Sequence, residues 1–156
     1  VYNALTTEAG LSSWWTPHTS AGAEVGSISR FSFGADYFKE MKIAELKIAE
    51  FVKWNCVTGA DEWIGTSISF KLEPGSKTVI LTSHPEIKDQ LQQNTTQEHG
   101  TILTLHHNDW KQPTPMFAEC NYTWGQFLRS LKLFCEIGEG TPWPNQHRAD
   151  GYRFDF

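Results

Sequence analysis

The stretch MFAECNYTWGQFLRSLKLFCEI, residues 116–137, carries apolar residues three and four apart along its whole length. Phe117, Cys120, Trp124, Phe127, Leu128, Leu131 and Phe134 or Cys135 fall on one stripe, the pattern of a helix with one buried face. A helix of roughly 22 residues is about 33 Å long. Its stripe needs an apolar surface of similar length, and the rest of the chain has to supply it. Gly138 and Gly140 end the pattern, and Pro142 and Pro144 prevent a restart.

Most of what precedes has period two. EVGSISRFSF puts Phe31 and Phe33 on one face. YFKEMKIAEL reads as the next strand, and EFVKWNCV sets Val52, Trp54 and Cys56 on one side. EWIGTSISFKLEP alternates, with Ile64, Ile68, Phe70 and Leu72 opposite Ser67, Ser69 and Lys71. Pro74-Gly75 is expected to turn the chain, KTVILTS to form another strand, and residues 86–93 a short helix within a polar excursion. TILTLHHNDW is the last strand, with Leu103, Leu105 and His107 together. At the other end, residues 1–5 and 8–15 read as two short helices stopped by Pro17, and TPHTSAGAEVG as loop. Short connections between strands favour an antiparallel meander. The fold class is therefore α+β, with a curved antiparallel sheet wrapped around one long C-terminal helix.

Charge and cysteine usage exclude several classes of function. The net charge of −5, with no basic stripe, argues against nucleic acid as a partner. The run KEMKIAELKIAEFVK alternates sign like a solvated face. No apolar run approaches the roughly 20 residues of a membrane span. Cys56, Cys120 and Cys135 have no CxxC spacing and read as reduced thiols of a cytoplasmic protein. Aromatic residues make up 13% of the chain, which leaves a bulky core or an aromatic-lined cavity as alternatives.

The segments VYNALTTEAGLSSWWT, FVKWNCVTGADEWIGTSISFKLEP, LHHNDW and CNYTWGQFLRSLKLFCEIGEGTPWP, in this order, resemble the START-like (SRPBCC) superfamily. Within it they are most similar to the branch named after the activator of the heat-shock chaperone ATPase; polyketide cyclase-like proteins are relatives. The resemblance implies a helix-grip fold: one strand, two short helices, six more strands, then a long helix held by the sheet. It also implies a single START-like domain over residues 1–156. The family's first strand would precede Val1, and an insertion would occupy about 83–100.

The resemblance further implies a cavity between helix and sheet. Strand parity and helix spacing place Phe31, Phe33, Trp54, Ile68, Phe70, Leu105, His107, Phe117, Cys120, Trp124 and Phe127 inward, as its expected lining. Such a site suits a hydrophobic small molecule or lipid. The alternatives are an enzyme of cyclase, dehydratase or hydrolase type using the same cavity, and a co-chaperone-like interaction module. The protein would be a monomer or a homodimer. No cofactor is implied, and no metal: neighbouring His106 and His107 point to opposite faces, and His84, His99 and His147 lack zinc-ligand spacing. Within the cavity, His107 is either a proton donor and acceptor or a satisfied core histidine.

Overall fold

The structure, a computed structural model, describes residues 1–89 and 98–148. Two short helices, α1 (Tyr2–Thr6) and α2 (Glu8–Trp14), open the chain. Thr7 ends the first and caps the second, its hydroxyl accepting from the Gly10 amide. Six strands follow: β1 (His18–Ser20), β2 (Ile28–Ser32), β3 (Phe38–Lys47), β4 (Phe51–Thr58), β5 (Ser67–Ser76) and β6 (His99–Asn108). Helix α3 (Lys77–Ser83) and a 3₁₀ turn (Pro85–Ile87) lie between β5 and β6, and α4 (Pro115–Ile137) closes the fold.

The sheet is antiparallel with its strands in chain order, β1 to β6. It curls around α4 in the helix-grip arrangement, and the core fills the space between them. Into it the strands send Phe31, Met41, Ile43, Val52, Trp54, Cys56, Ile68, Phe70 and Leu72. The helix contributes Cys120, Trp124, Phe127 and Leu131, all buried. Of the rest of the expected stripe, Leu128 and Phe134 pack against this core, while Phe117 packs on Trp110 and Cys135 is exposed. Thr114 starts α4 by accepting from the Phe117 amide, with Pro115 at the first turn, where the missing N–H costs nothing. Gly138, at φ 81°, ends it.

Four local expectations are corrected. KTVILTS is the helix α3: Ser76 caps it by accepting from the Val79 amide, and only Ile80 is buried. Pro74 and Gly75 do not turn the chain but extend β5, paired with Thr101 and Gly100. A Cβ on either Gly75 or Gly100 would meet Ile80 at 3.3 Å, so the bare backbones are the seat on which α3 rests. Within TPHTSAGAEVG, His18–Ser20 pairs with β2 as an edge strand. Ile64 lies in the β4–β5 turn and is 40% exposed, outside the alternation that begins at Ser67.

The excursion between β5 and β6 spans 77–98, since Ser76 pairs with His99 and the Lys77 amide donates to the Glu98 carbonyl. Of the expected helix at 86–93, residues 86 and 87 belong to the 3₁₀ turn, 88 and 89 are α-helical, and 90–93 lie outside the described residues. The final segment returns to the N-terminal helices. Gly140 is forced here by space: a Cβ would stand 2.3 Å from the Ser13 carbonyl oxygen.

Candidate functional site

Two places between sheet and helix bear on function: a cluster of rings toward the first half of α4, and an apolar groove beside its second half. The cluster is built from side chains of matching strand parity. Trp54 and Phe70 lie edge to face at 4.9 Å between ring centres, and Trp124 reaches Phe70 at 6.3 Å and Phe127 at 6.4 Å. Phe31, Ile68 and Cys120 are buried in the same core, with Phe33 and Leu105 packed against it. His107 joins through Trp124. Phe117 stands apart, edge to face with Trp110 at 5.4 Å.

The middle of this cluster is held by Trp15. It lies 4.2 Å from Phe31, 5.9 Å from Phe33, 5.6 Å from Trp54 and 5.4 Å from Trp124, centre to centre, and is 1% exposed. The indole follows α2 directly, so the end of that helix delivers it between the two faces. Sequence reading placed Trp15 on a short helix and gave it no inward role. Its doubled partner, Trp14, uses its indole N–H on the Ala4 carbonyl at 2.8 Å.

His107 is a satisfied core histidine. The Trp124 indole N–H donates to Nδ1 at 3.1 Å, so Nδ1 must be the bare nitrogen. Nε2 then carries the proton and donates to the Thr66 hydroxyl at 3.0 Å, which donates onward to the Trp63 carbonyl at 2.7 Å. Burial first, and the nearby Lys39 charge second, push its pKa down to about 4. The imidazole is neutral at physiological pH, with both nitrogens engaged. Cys120 accepts from the Trp63 indole N–H at 3.1 Å, and burial pushes the thiols of Cys56 and Cys120 up. Both therefore stay protonated and poorly nucleophilic. Among the described residues no three His, Cys, Asp or Glu side chains gather where a metal ion could sit.

Lys39 lies against rings at the side of this cluster. Its Nζ lies 3.4 Å from the centre of the Trp63 ring, 5.1 Å from Phe33 and 5.5 Å from Tyr37. Sequence reading put it on a solvated face because of the alternating charges around it. A contrary signal was present: Lys39 shares the parity of Met41 and Ile43, both buried.

The groove runs along β6 beside the second half of α4. Its volume is about 630 Å³, and Ile102, Leu103, Leu128 and Leu131 supply much of its apolar wall. Pro74, Ile87 and Cys135 extend that wall, and Lys132 and Glu136, paired with each other, supply charge. None of the eleven side chains expected to line a cavity borders it. Leu128 and Leu131 belong to the helical stripe, and Leu103 shares the parity of Leu105 and His107, so the sequence held a partial signal for this wall. A Cβ on Gly125 would meet nothing, so that glycine does not set how closely α4 approaches the sheet.

No family model and no curated protein matches the sequence. Among solved structures, the chain is similar to the dimeric Aha1 protein of Colwellia psychrerythraea, determined in solution. The two are 34% identical, the match covers 89% of this chain and 87% of that one, and the TM-score is 0.64. A protein of Mesorhizobium loti shares the fold at 16% identity, with 86% and 85% of the two chains covered and a TM-score of 0.59. One from Staphylococcus saprophyticus does so at 15%, with 89% and 83% covered and a TM-score of 0.56.

Proposed function

Because the chain belongs to the Aha1-like family of the START-like superfamily, we propose that it binds a hydrophobic small molecule or single-chain lipid between the sheet and α4. The groove beside β6, rather than the ring cluster, is the place for the guest. The supporting observation is its volume of about 630 Å³, within the range of known ligand sites. Ile102, Leu103 and Leu128 offer apolar area, worth roughly 25 cal/mol for each Å² removed from water. Lys132 and Glu136 give a polar head something to meet. The ring cluster is less suited, because Trp15 already occupies the space between its walls. A catalytic reading has less support, since His107 uses both nitrogens internally and burial keeps the thiols protonated.

The test is titration with dodecanoate, followed by methyl NMR. Saturable shifts of the Leu103, Leu128 and Leu131 methyls are expected, and Leu128→Asp should abolish them while leaving the fold intact. A titration without saturable shifts, or with shifts confined to Ile68 and its ring neighbours, overturns the reading.

A second reading concerns self-association. The Colwellia relative is a dimer, and among the described residues β6 pairs on one side only. An open edge strand is a template for another chain. A homodimer joined there predicts sedimentation at twice the monomer mass. A monomer at micromolar concentration sinks it.

A further inference from the structure

We infer that α3 and the 3₁₀ turn after it form a clasp, which closes on a guest in the groove beside β6 and opens while the rest of the fold stays shut. The inference rests on that groove as the binding site. Ile87 of the 3₁₀ turn is part of the groove wall, and so are Gly75 and Gly100, the two glycines on which α3 is seated. One piece of chain therefore meets the site at two places. Little holds that piece down. Ile80 is the one buried side chain of α3, Val79 is 60% exposed, and Ile87 is half-buried. A helix of seven residues is too short to persist alone, so packing has to keep it in place. Here the packing is Ile80 on bare backbone, with Val79 at its side. Helix α4, by contrast, buries Cys120, Trp124, Phe127, Ser130 and Leu131.

The ends of the excursion are fixed independently of α3. Ser76 pairs with His99 across β5 and β6, and the Lys77 amide bonds the Glu98 carbonyl. Ile80 and Ile87 can therefore lift while both strands keep their register. Segments with few buried contacts open in this local way, far more often than the core does. A guest against Ile87 touches more of the closed form than of the open one, so it shifts the balance toward closure. If it binds the closed form alone, opening falls by the factor one plus the ratio of guest concentration to Kd, about tenfold at ten times Kd.

The experiment is amide hydrogen exchange on the intact chain, followed by NMR with and without dodecanoate at ten times its Kd. In the free protein the amides of residues 81–84 are expected to exchange about a hundredfold faster than those of 124–131, or more, at a rate that dilute urea leaves unchanged. Dodecanoate should slow the α3 amides about tenfold. Ile80→Ala should speed their exchange, leave α4 as protected as before, and weaken dodecanoate binding severalfold. Exchange in α3 as slow as in α4 overturns the clasp. So does α3 exchange that dodecanoate leaves unchanged while the Leu128 methyls shift saturably; in that case the groove stands as the binding site and only the clasp falls. Absence of any saturable shift at Leu128 removes both. The wild-type protein alone decides these points, so the outcome does not depend on how the variant folds.

Discussion

At the scale of residues, Lys39 and His107 share a cause: each sits where water is scarce, so its charged form is disfavoured. The signs follow from proton counts. For His107, the unfolded chain titrates near 6.5 and the folded one near 4. Between these values the unfolded state holds more protons, so stability is full above pH 6.5 and falls as pH drops toward 4. Urea denaturation across that window should show the loss, and His107→Gln should flatten it. For Lys39, the unfolded amine titrates near 10.5 and the folded one near 8. Stability should thus rise between pH 8 and 10.5 as the unfolded state gives up the proton that the folded state has already lost. Below pH 8 the folded protein carries a poorly solvated charge. Lys39→Met should therefore stabilise it at pH 7 by about 1–2 kcal/mol, after discounting for partial solvent access. A variant less stable than wild type at pH 7 would show that the contact with Trp63 outweighs desolvation. The parity of Lys39 was legible in the sequence. Its burial was not, because alternating charges on a strand read equally as a solvated face.

At the scale of elements, α4 was the most legible part of the chain: its stripe and its glycine stop are local chemistry. Helix α3 was not. KTVILTS is rich in β-branched residues, which favour strands, but the Ser76 cap and the paired glycines beneath Ile80 decide for a helix. Those glycines meet only once β5 and β6 are paired, so no local pattern reports them. The packing of α2 against α4 likewise depends on distant residues. Ser130, fully buried on α4, donates to the Trp14 carbonyl at 2.8 Å and accepts from the Thr141 amide at 2.7 Å. One hydroxyl thus ties both helices and the closing segment together. Ser130→Ala leaves two backbone groups short of a partner and should cost about 1–3 kcal/mol, measured by urea denaturation. A loss below half a kcal/mol would mean that water replaces the hydroxyl.

At the scale of the whole molecule, Trp15 is where the N-terminal helices, the sheet and α4 meet. Its removal tests whether the rings form one packed unit. Trp15→Ala should cost about 3–5 kcal/mol and leave a hollow of indole shape. Added indole should then raise the melting temperature of the variant but not of wild type. Absence of that rescue would show that the cluster collapses into the gap. The sequence alone determined the α+β class, the run of strands β2 to β5 and the inward face of α4, because these follow from periods of two and 3.6 and from nearest-neighbour connections; it missed β1 and read α3 as a strand. It also carried the family, through motifs spread along the chain. Only the tertiary structure decided which inward side chains touch and which leave room. Periodicity assigns a residue to a face but not to a depth along it. The volume between two faces depends on what a third element, here the end of α2 with Trp15, inserts between them.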